Sequence, residues 1–361
     1  MGLTPEALLH SGLGQPLSEK IRDISTKRVR LMEICGTHTM AIFRHGIRTL
    51  LPETIELVSG PGCPVCVTAT EEIDRAVKLA RTKGVMVTTF GDMIRVPGSA
   101  SSLQMEQAEG AVVKMVYSTF DALRIASENR DSEVVFLGIG FETTSPTVAA
   151  AIQTAQAGGN DNFSVLSAHK LLPPAMDALL SGGNVMVDGF ICPGHVTTII
   201  GTAPYEKVVE QYHTPCVVTG FEPVDILQGI LMLVQQIESD QAGVEIQYAR
   251  AVSPEGNPGA LAIMEKVFEP CDAPWRGLGI IPGSGLAIRD SFAAFDAENR
   301  FDLQVPAAKE PPGCLCAEVL QGAATPPECK FFRNACTPAT PIGPCMVSSE
   351  GTCAAYFKYH V

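Results

Sequence analysis

Ser59-Gly60-Pro61-Gly62-Cys63-Pro64-Val65-Cys66-Val67-Thr68 sets two cysteines in a C-x-x-C spacing among glycines and prolines. The apolar run Ile55–Val58 leads into it, and the charged amphipathic segment Glu71–Thr82 follows. This order reads as strand, tight turn, helix, with two thiols displayed at the turn. Glycine permits backbone angles that other residues resist, and proline stiffens the loop. Just upstream, Cys35-Gly36-Thr37-His38-Thr39 puts a third thiol and a histidine after another apolar run, Arg28–Ile34. Three thiols and a histidine near strand ends point to redox or metal chemistry.

Working outward, strand-like and helix-like segments alternate. Gly84–Phe90 is a β-branched run and reads as a buried strand. Gln104–Asn129 reads as mostly helical. Glu133–Ile139 is the clearest strand, and it runs into Gly140-Phe141-Glu142-Thr143-Thr144. Pro146 then opens a helix near its start, where proline is tolerated. The grammar repeats in Asn162–Ala168, ending at His169-Lys170, and in Val187–Ile191, ending at Cys192-Pro193-Gly194-His195. It repeats again in Pro215–Thr219, ending at Gly220-Phe221-Glu222-Pro223.

Such alternation predicts an α/β fold with parallel sheets and functional groups at strand carboxyl ends. Two short echoes point to duplication. Gly140-Phe141-Glu142 matches Gly220-Phe221-Glu222, and Pro61-Gly62-Cys63 partly matches Pro193-Gly194-His195. The expectation is two similar parallel-sheet α/β domains facing a cleft, residues 1–145 and 146–250, plus a small irregular Cys-rich iron–sulfur domain at 251–361. That last region is rich in Gly, Pro and Cys, and a segment so poor in aliphatic core needs a staple.

Composition narrows the function. The chain has 361 residues and a formal net charge of −13. That charge argues against nucleic acid or an anionic membrane as the main partner. No stretch reaches the roughly 20 apolar residues of a membrane span. Residues 1–15 lack the basic start and apolar core of a signal peptide, so a cytoplasmic location is expected. In that compartment thiols stay reduced, and 12 cysteines point to metal or redox use.

Six of the cysteines crowd the last 48 residues. Four of them are spaced Cys314-x14-Cys329-x6-Cys336-x16-Cys353, and Cys316 and Cys345 are additional. Iron–sulfur clusters take four thiolates. Structural zinc prefers paired C-x2-4-C knuckles, which are absent here. Inert buried cysteines are the third reading.

Cys63 and Cys66 allow a dithiol/disulfide couple, half a metal site, or a structural pair. A C-x-x-C at a helix start favours the thiolate. Cys35 with His38 reads as a nucleophile and base or as a soft iron ligand with a nearby proton donor. His195 and His169 read equally as loop residues held by hydrogen bonds. Glu142 and Glu222 read as acid–base groups or as carboxylates at helix N-termini. Pro282-Gly283-Ser284-Gly285 is a plain turn, and no phosphate-loop motif occurs.

Taken together and in order, CGTHT at 35–39, GPGCPVC at 60–66, GFETT at 140–144, CPGHV at 192–196, GFEP at 220–223 and the cysteine-rich tail resemble the HypD family of [NiFe]-hydrogenase maturation factors. The resemblance spans nearly the whole chain. It implies a scaffold for building the Fe(CN)2CO unit, acting with a small HypC-type chaperone and receiving cyanide from a HypE-type protein. By motif match it implies Cys35 as the ligand of a mononuclear iron that carries cyanide and carbon monoxide. It implies Cys63 and Cys66 as a redox-active pair in contact with that iron. His38, Glu142 and His195 lie in the matching motifs. It further implies that Cys314, Cys329, Cys336 and Cys353 hold a [4Fe–4S] cluster relaying electrons to the pair, with Cys316 able to replace Cys314. The alternative is a stand-alone thiol-disulfide oxidoreductase containing an iron–sulfur cluster.

Overall fold

Eleven strands make two parallel sheets and one hairpin in the computed structural model, which describes residues 14–183 and 186–359. They are β1 (Val29–Glu33), β2 (Ile55–Ser59), β3 (Val85–Thr89), β4 (Val112–Met115), β5 (Glu133–Gly138), β6 (Phe163–Ser167), β7 (Gly189–Pro193), β8 (Cys216–Thr219), β9 (Val244–Ile246), β10 (Phe268–Trp275) and β11 (Gly279–Ile288). The first sheet runs β2-β1-β7-β8-β9, the second β4-β3-β5-β6, and β10 pairs with β11. Every pair within the two larger sheets is parallel. Residues 1–13, most of the stretch read as lacking a signal peptide, lie outside the described residues.

The α/β expectation with two similar sheets holds, and the likeness is one of topology. Numbered by chain order within each sheet, the first reads 2-1-3-4-5 and the second 2-1-3-4. The domain boundaries at 145 and 250 need correction. β1 pairs with β7 across the chain, Leu31 opposite Gly189, so the whole second sheet is inserted between β2 and β7. The third region also narrows. Residues 258–288 form the helix Pro258–Val267 and the hairpin, whose Phe268, Leu286 and Ile288 join the core of the second sheet. The Cys-rich lobe begins only near residue 309.

Burial explains the strands. β5 is buried at five of its six positions, as a parallel strand covered on both faces must be. In β3, Met86 faces one core and Val85 and Val87 the other. In the first sheet, Leu31, Leu57, Ile191 and Val217 face a purely aliphatic core. The opposite face, with Met32, Val58, Phe190 and Val218, shares its core with Cys63, Cys66, Cys316 and Cys345. That face and the carboxyl ends of β1, β2 and β7 carry the candidate site.

Candidate metal and redox centre

β1 and β7 are the first and third strands of their sheet. Their adjacency makes the crevice beyond their carboxyl ends the point where connections diverge, the usual ligand position in open α/β sheets. Cys35 follows β1 by two residues and is the N-cap of the helix Gly36–Arg44. His195 follows β7 by two residues, in the helix Gly194–Ile200. The two histidines are linked through Phe221, whose ring stacks 4.7 Å from His38 and 4.0 Å from His195. His38 Nε2 donates to the carbonyls of Gly220 and Thr219 at 2.9 and 3.2 Å. Its Nδ1 is then an acceptor, buried and without a partner. Burial lowers the ring's pKa to about 4, so His38 is neutral at physiological pH.

The C-x-x-C turn lies directly on Cys35. Gly36 N donates to Gly62 O at 2.9 Å, and Gly60 N to Glu33 O at 2.8 Å. A Cβ on Gly62 would stand 2.1 Å from Cys35 N, which only glycine avoids. Cys63 and Cys66 are joined as a disulfide, with Cα atoms 5.2 Å apart. Cys63 caps the short helix Pro64–Val67. With those sulfurs bonded to each other, Cys35 is the thiol left at this point. Burial pushes it up to about 12, and the Glu350 and Glu33 carboxylates add to the shift. Two backbone N–H groups, of His38 and Thr37, favour its thiolate.

Glu350 and Glu33 were not singled out in the sequence. Glu350, in the tail, accepts from Thr37 Oγ1 at 2.8 Å. A Cβ on Gly36 would meet Glu350 Cβ at 2.5 Å. Its charge also raises the pKa of His195 against the lowering by burial. Glu33, 1 % exposed, accepts from Thr39 Oγ1 at 2.6 Å. Burial raises its carboxyl to about 8. No motif flags a lone glutamate at a strand end or an isolated one in a tail, so only the fold reveals them.

Glu142 is placed differently. Its Oε1 accepts from Leu172 N at 2.9 Å, at the start of the helix Leu172–Ser181. Burial raises it to about 7. Glu222 is the N-cap of the helix Pro223–Glu238, which matches the helix-terminus reading. The echoed motifs also fall on non-equivalent strands. Gly140-Phe141-Glu142 follows the third strand of its sheet and Gly220-Phe221-Glu222 the fourth.

The tail wraps onto this site. The helix Pro344–Val347, carrying Cys345, packs on the helix Pro64–Val67 that carries Cys66. All six tail cysteines line one small apolar pocket. Among the described residues no three His, Cys, Asp or Glu side chains gather tightly enough for a single metal ion. Six thiols spread around one pocket fit instead a polynuclear cluster, whose ligands stand apart around it. Cys316 and Cys345 pair with each other, Sγ atoms 2.9 Å apart. Cys314 also hydrogen-bonds to Cys316, and Cys353 to Cys345, so the six thiols form one contiguous set.

Comparison with known proteins agrees. The family model HypD, described as the hydrogenase formation hypA family, matches residues 13–360. A hydrogenase expression/formation protein HupD of Azotobacter chroococcum is 51% identical over 340 residues, 92% of this chain and 90% of that protein. The hydrogenase maturation factor HypD of Azotobacter vinelandii is 50% identical over the same shares. That of Cupriavidus necator is 48% identical over 341 residues, again 92% and 90%. Gathered on one crevice, the cysteine loops sit on a chain related over nearly its full length to these factors, and it therefore belongs to the HypD family of hydrogenase maturation factors.

Proposed function

We propose that the chain is a scaffold and redox protein for assembling the Fe(CN)2CO unit of [NiFe]-hydrogenase, working in the cytoplasm with a HypC-type chaperone and a HypE-type cyanide donor. The observation that carries this reading is the packing of Cys35, the Cys63–Cys66 turn and the tail into one contact assembly. Iron with cyanide and carbon monoxide is the cargo. A soft thiolate suits such iron, and Cys35 offers it from this side once its proton leaves. Metal binding requires that deprotonation. His195, stacked on Phe221 together with His38, flanks the loop as a proton acceptor, and His38 stays neutral. Glu142, next to Phe141 in the core shared with Cys63 and Cys66, holds the start of the helix Leu172–Ser181 with Oε1 and keeps a buried, unpartnered Oε2.

Attaching ligands to iron calls for electrons in pairs, and opening a disulfide takes two electrons and two protons. Cys63 and Cys66 provide that couple beside Cys35, and once reduced they add thiols to the iron's surroundings. Cys316 and Cys345 are a second closely set pair, lining the tail pocket and sharing the apolar core of the turn. A [4Fe–4S] cluster held by Cys314, Cys329, Cys336 and Cys353 would supply single electrons to these pairs. Among the described residues no helix is long and apolar enough to cross a membrane.

Complementation tests the reading. In a strain lacking its own factor, the wild-type chain restores hydrogenase activity, and Cys35→Ala, Cys63→Ala and Cys66→Ala do not. Full activity from Cys63→Ala would remove the redox role.

A further inference from the structure

A cavity of about 460 Å³ opens where β6 ends, and none of its lining residues belongs to the cysteine loops or the tail. The hairpin β10–β11 and the first turn of the helix Thr70–Arg81 complete its walls. It too lies at the carboxyl edge of a parallel sheet, where such folds bind ligands.

The cavity's inner residues fix its chemistry. Ser167 Oγ donates to Leu286 O at 2.7 Å. A hydroxyl has one proton, so in the 3.1 Å contact between them His169 Nδ1 donates to Ser167 Oγ. Nε2 therefore carries a bare lone pair. His169 is 1 % exposed, and this nitrogen has no partner. Burial and the neighbouring Lys170 push the ring down to about 3, so it stays neutral and keeps the lone pair available. A buried acceptor left unpaired is costly, and a donor from a ligand would relieve it.

The walls are acidic, five carboxylates against the two cations Arg75 and Lys170. Lys170 is spent on buried Glu72 at 2.5 Å. Arg75 bridges Glu71 and Glu298 at 2.5 and 2.7 Å. Asp272 and Asp296 accept only backbone and amide hydrogens, Gly283 N in the first case and Glu298 N and Asn299 Nδ2 in the second. We propose that this cavity binds a small organic cation of the ammonium or guanidinium class, one N–H of which donates to His169 Nε2 while Asp272 and Asp296 balance its charge.

Agmatine, which carries both groups, is the probe, added to the full chain labelled with ¹⁵N-histidine. The resonance of the bare His169 nitrogen, assigned by its loss in His169→Gln, should shift saturably. The double variant Asp272→Asn/Asp296→Asn keeps the backbone hydrogen bonds and should bind about tenfold more weakly, as expected for losing two partly screened attractions. No saturable shift at millimolar agmatine overturns the proposal. An equal response to acetate or urea overturns the cation assignment. Binding of Co²⁺ at His169 and Cys271 with no response to agmatine makes it a metal site instead.

Discussion

Cys35 keeps its proton at neutral pH because burial and the Glu350 carboxylate oppose the thiolate, while two helix N–H groups favour it. Binding of the proposed iron would have to tip that balance. Glu350→Gln retains an acceptor for Thr37 but removes one charge. The thiol should then titrate at lower pH and react faster with iodoacetamide near pH 8, and an unchanged rate profile would exclude a through-space role for Glu350.

Glu33 provides a stability test. Its carboxyl is raised from 4.5 to about 8, so the folded state holds a proton that the unfolded state releases. By linkage, this contribution is fully present below about pH 4.5 and is lost as pH rises towards 8. Glu33→Gln should flatten that fall, an effect on the order of a few kcal/mol at pH 8, measured by urea unfolding at pH 5 and 8. Cys35, Cys63, Cys66, His38 and His195 were legible because they stand in short motifs at strand ends. Glu33, Glu350 and Phe221 act through contacts between distant segments, which local pattern does not encode.

Two elements meet where a glycine has no room for a side chain. At Gly62 a methyl would press on the backbone of Cys35, and at Gly36 on the backbone and Cβ of Glu350. Backbone cannot give way as a flexible side chain can. Gly62→Ala should destabilise the chain by about 1–3 kcal/mol and slow reaction of the Cys63–Cys66 disulfide with a small thiol reductant. Unchanged unfolding and reduction would show that the turn is not braced by the loop. β3, β5, β6 and β8 were legible as apolar β-branched runs. β4 was hidden inside Gln104–Asn129, since it is only four residues long and sits between the helices Leu103–Ala108 and Thr119–Glu128. β9 is three residues long. The hairpin was masked by Pro270, Pro274, Pro282 and Gly283. A two-stranded ribbon tolerates them because its outer edges need no partner, and its place is fixed by Leu171 N, which donates to Ser284 O at 2.8 Å, and by Arg276 N, which donates to Val67 O at 2.9 Å.

Over the whole molecule, one doubly wound sheet interrupts another, and the tail returns to the crevice of the first. Sequence alternation revealed two sheets but not the insertion, because pairing of β1 with β7 joins residues about 160 positions apart. The tail's composition was legible, and its docking on Gly36 and on the helix Pro64–Val67 was not. If the tail thiols hold a cluster, anaerobic protein should be brown with about four irons per chain. Cys329→Ser should lose that colour while the two sheets still unfold cooperatively. Zinc alone in colourless protein would refute the cluster.

The most direct test is an infrared spectrum of the chain co-purified with the HypC-type chaperone proposed as its partner, for wild type and for Cys35→Ala. Bands of iron-bound cyanide and carbon monoxide should be present in the wild type. They should be absent in Cys35→Ala, whose tail keeps its iron–sulfur absorbance. The same bands at full strength in Cys35→Ala would contradict the assignment of this thiol as the iron's anchor.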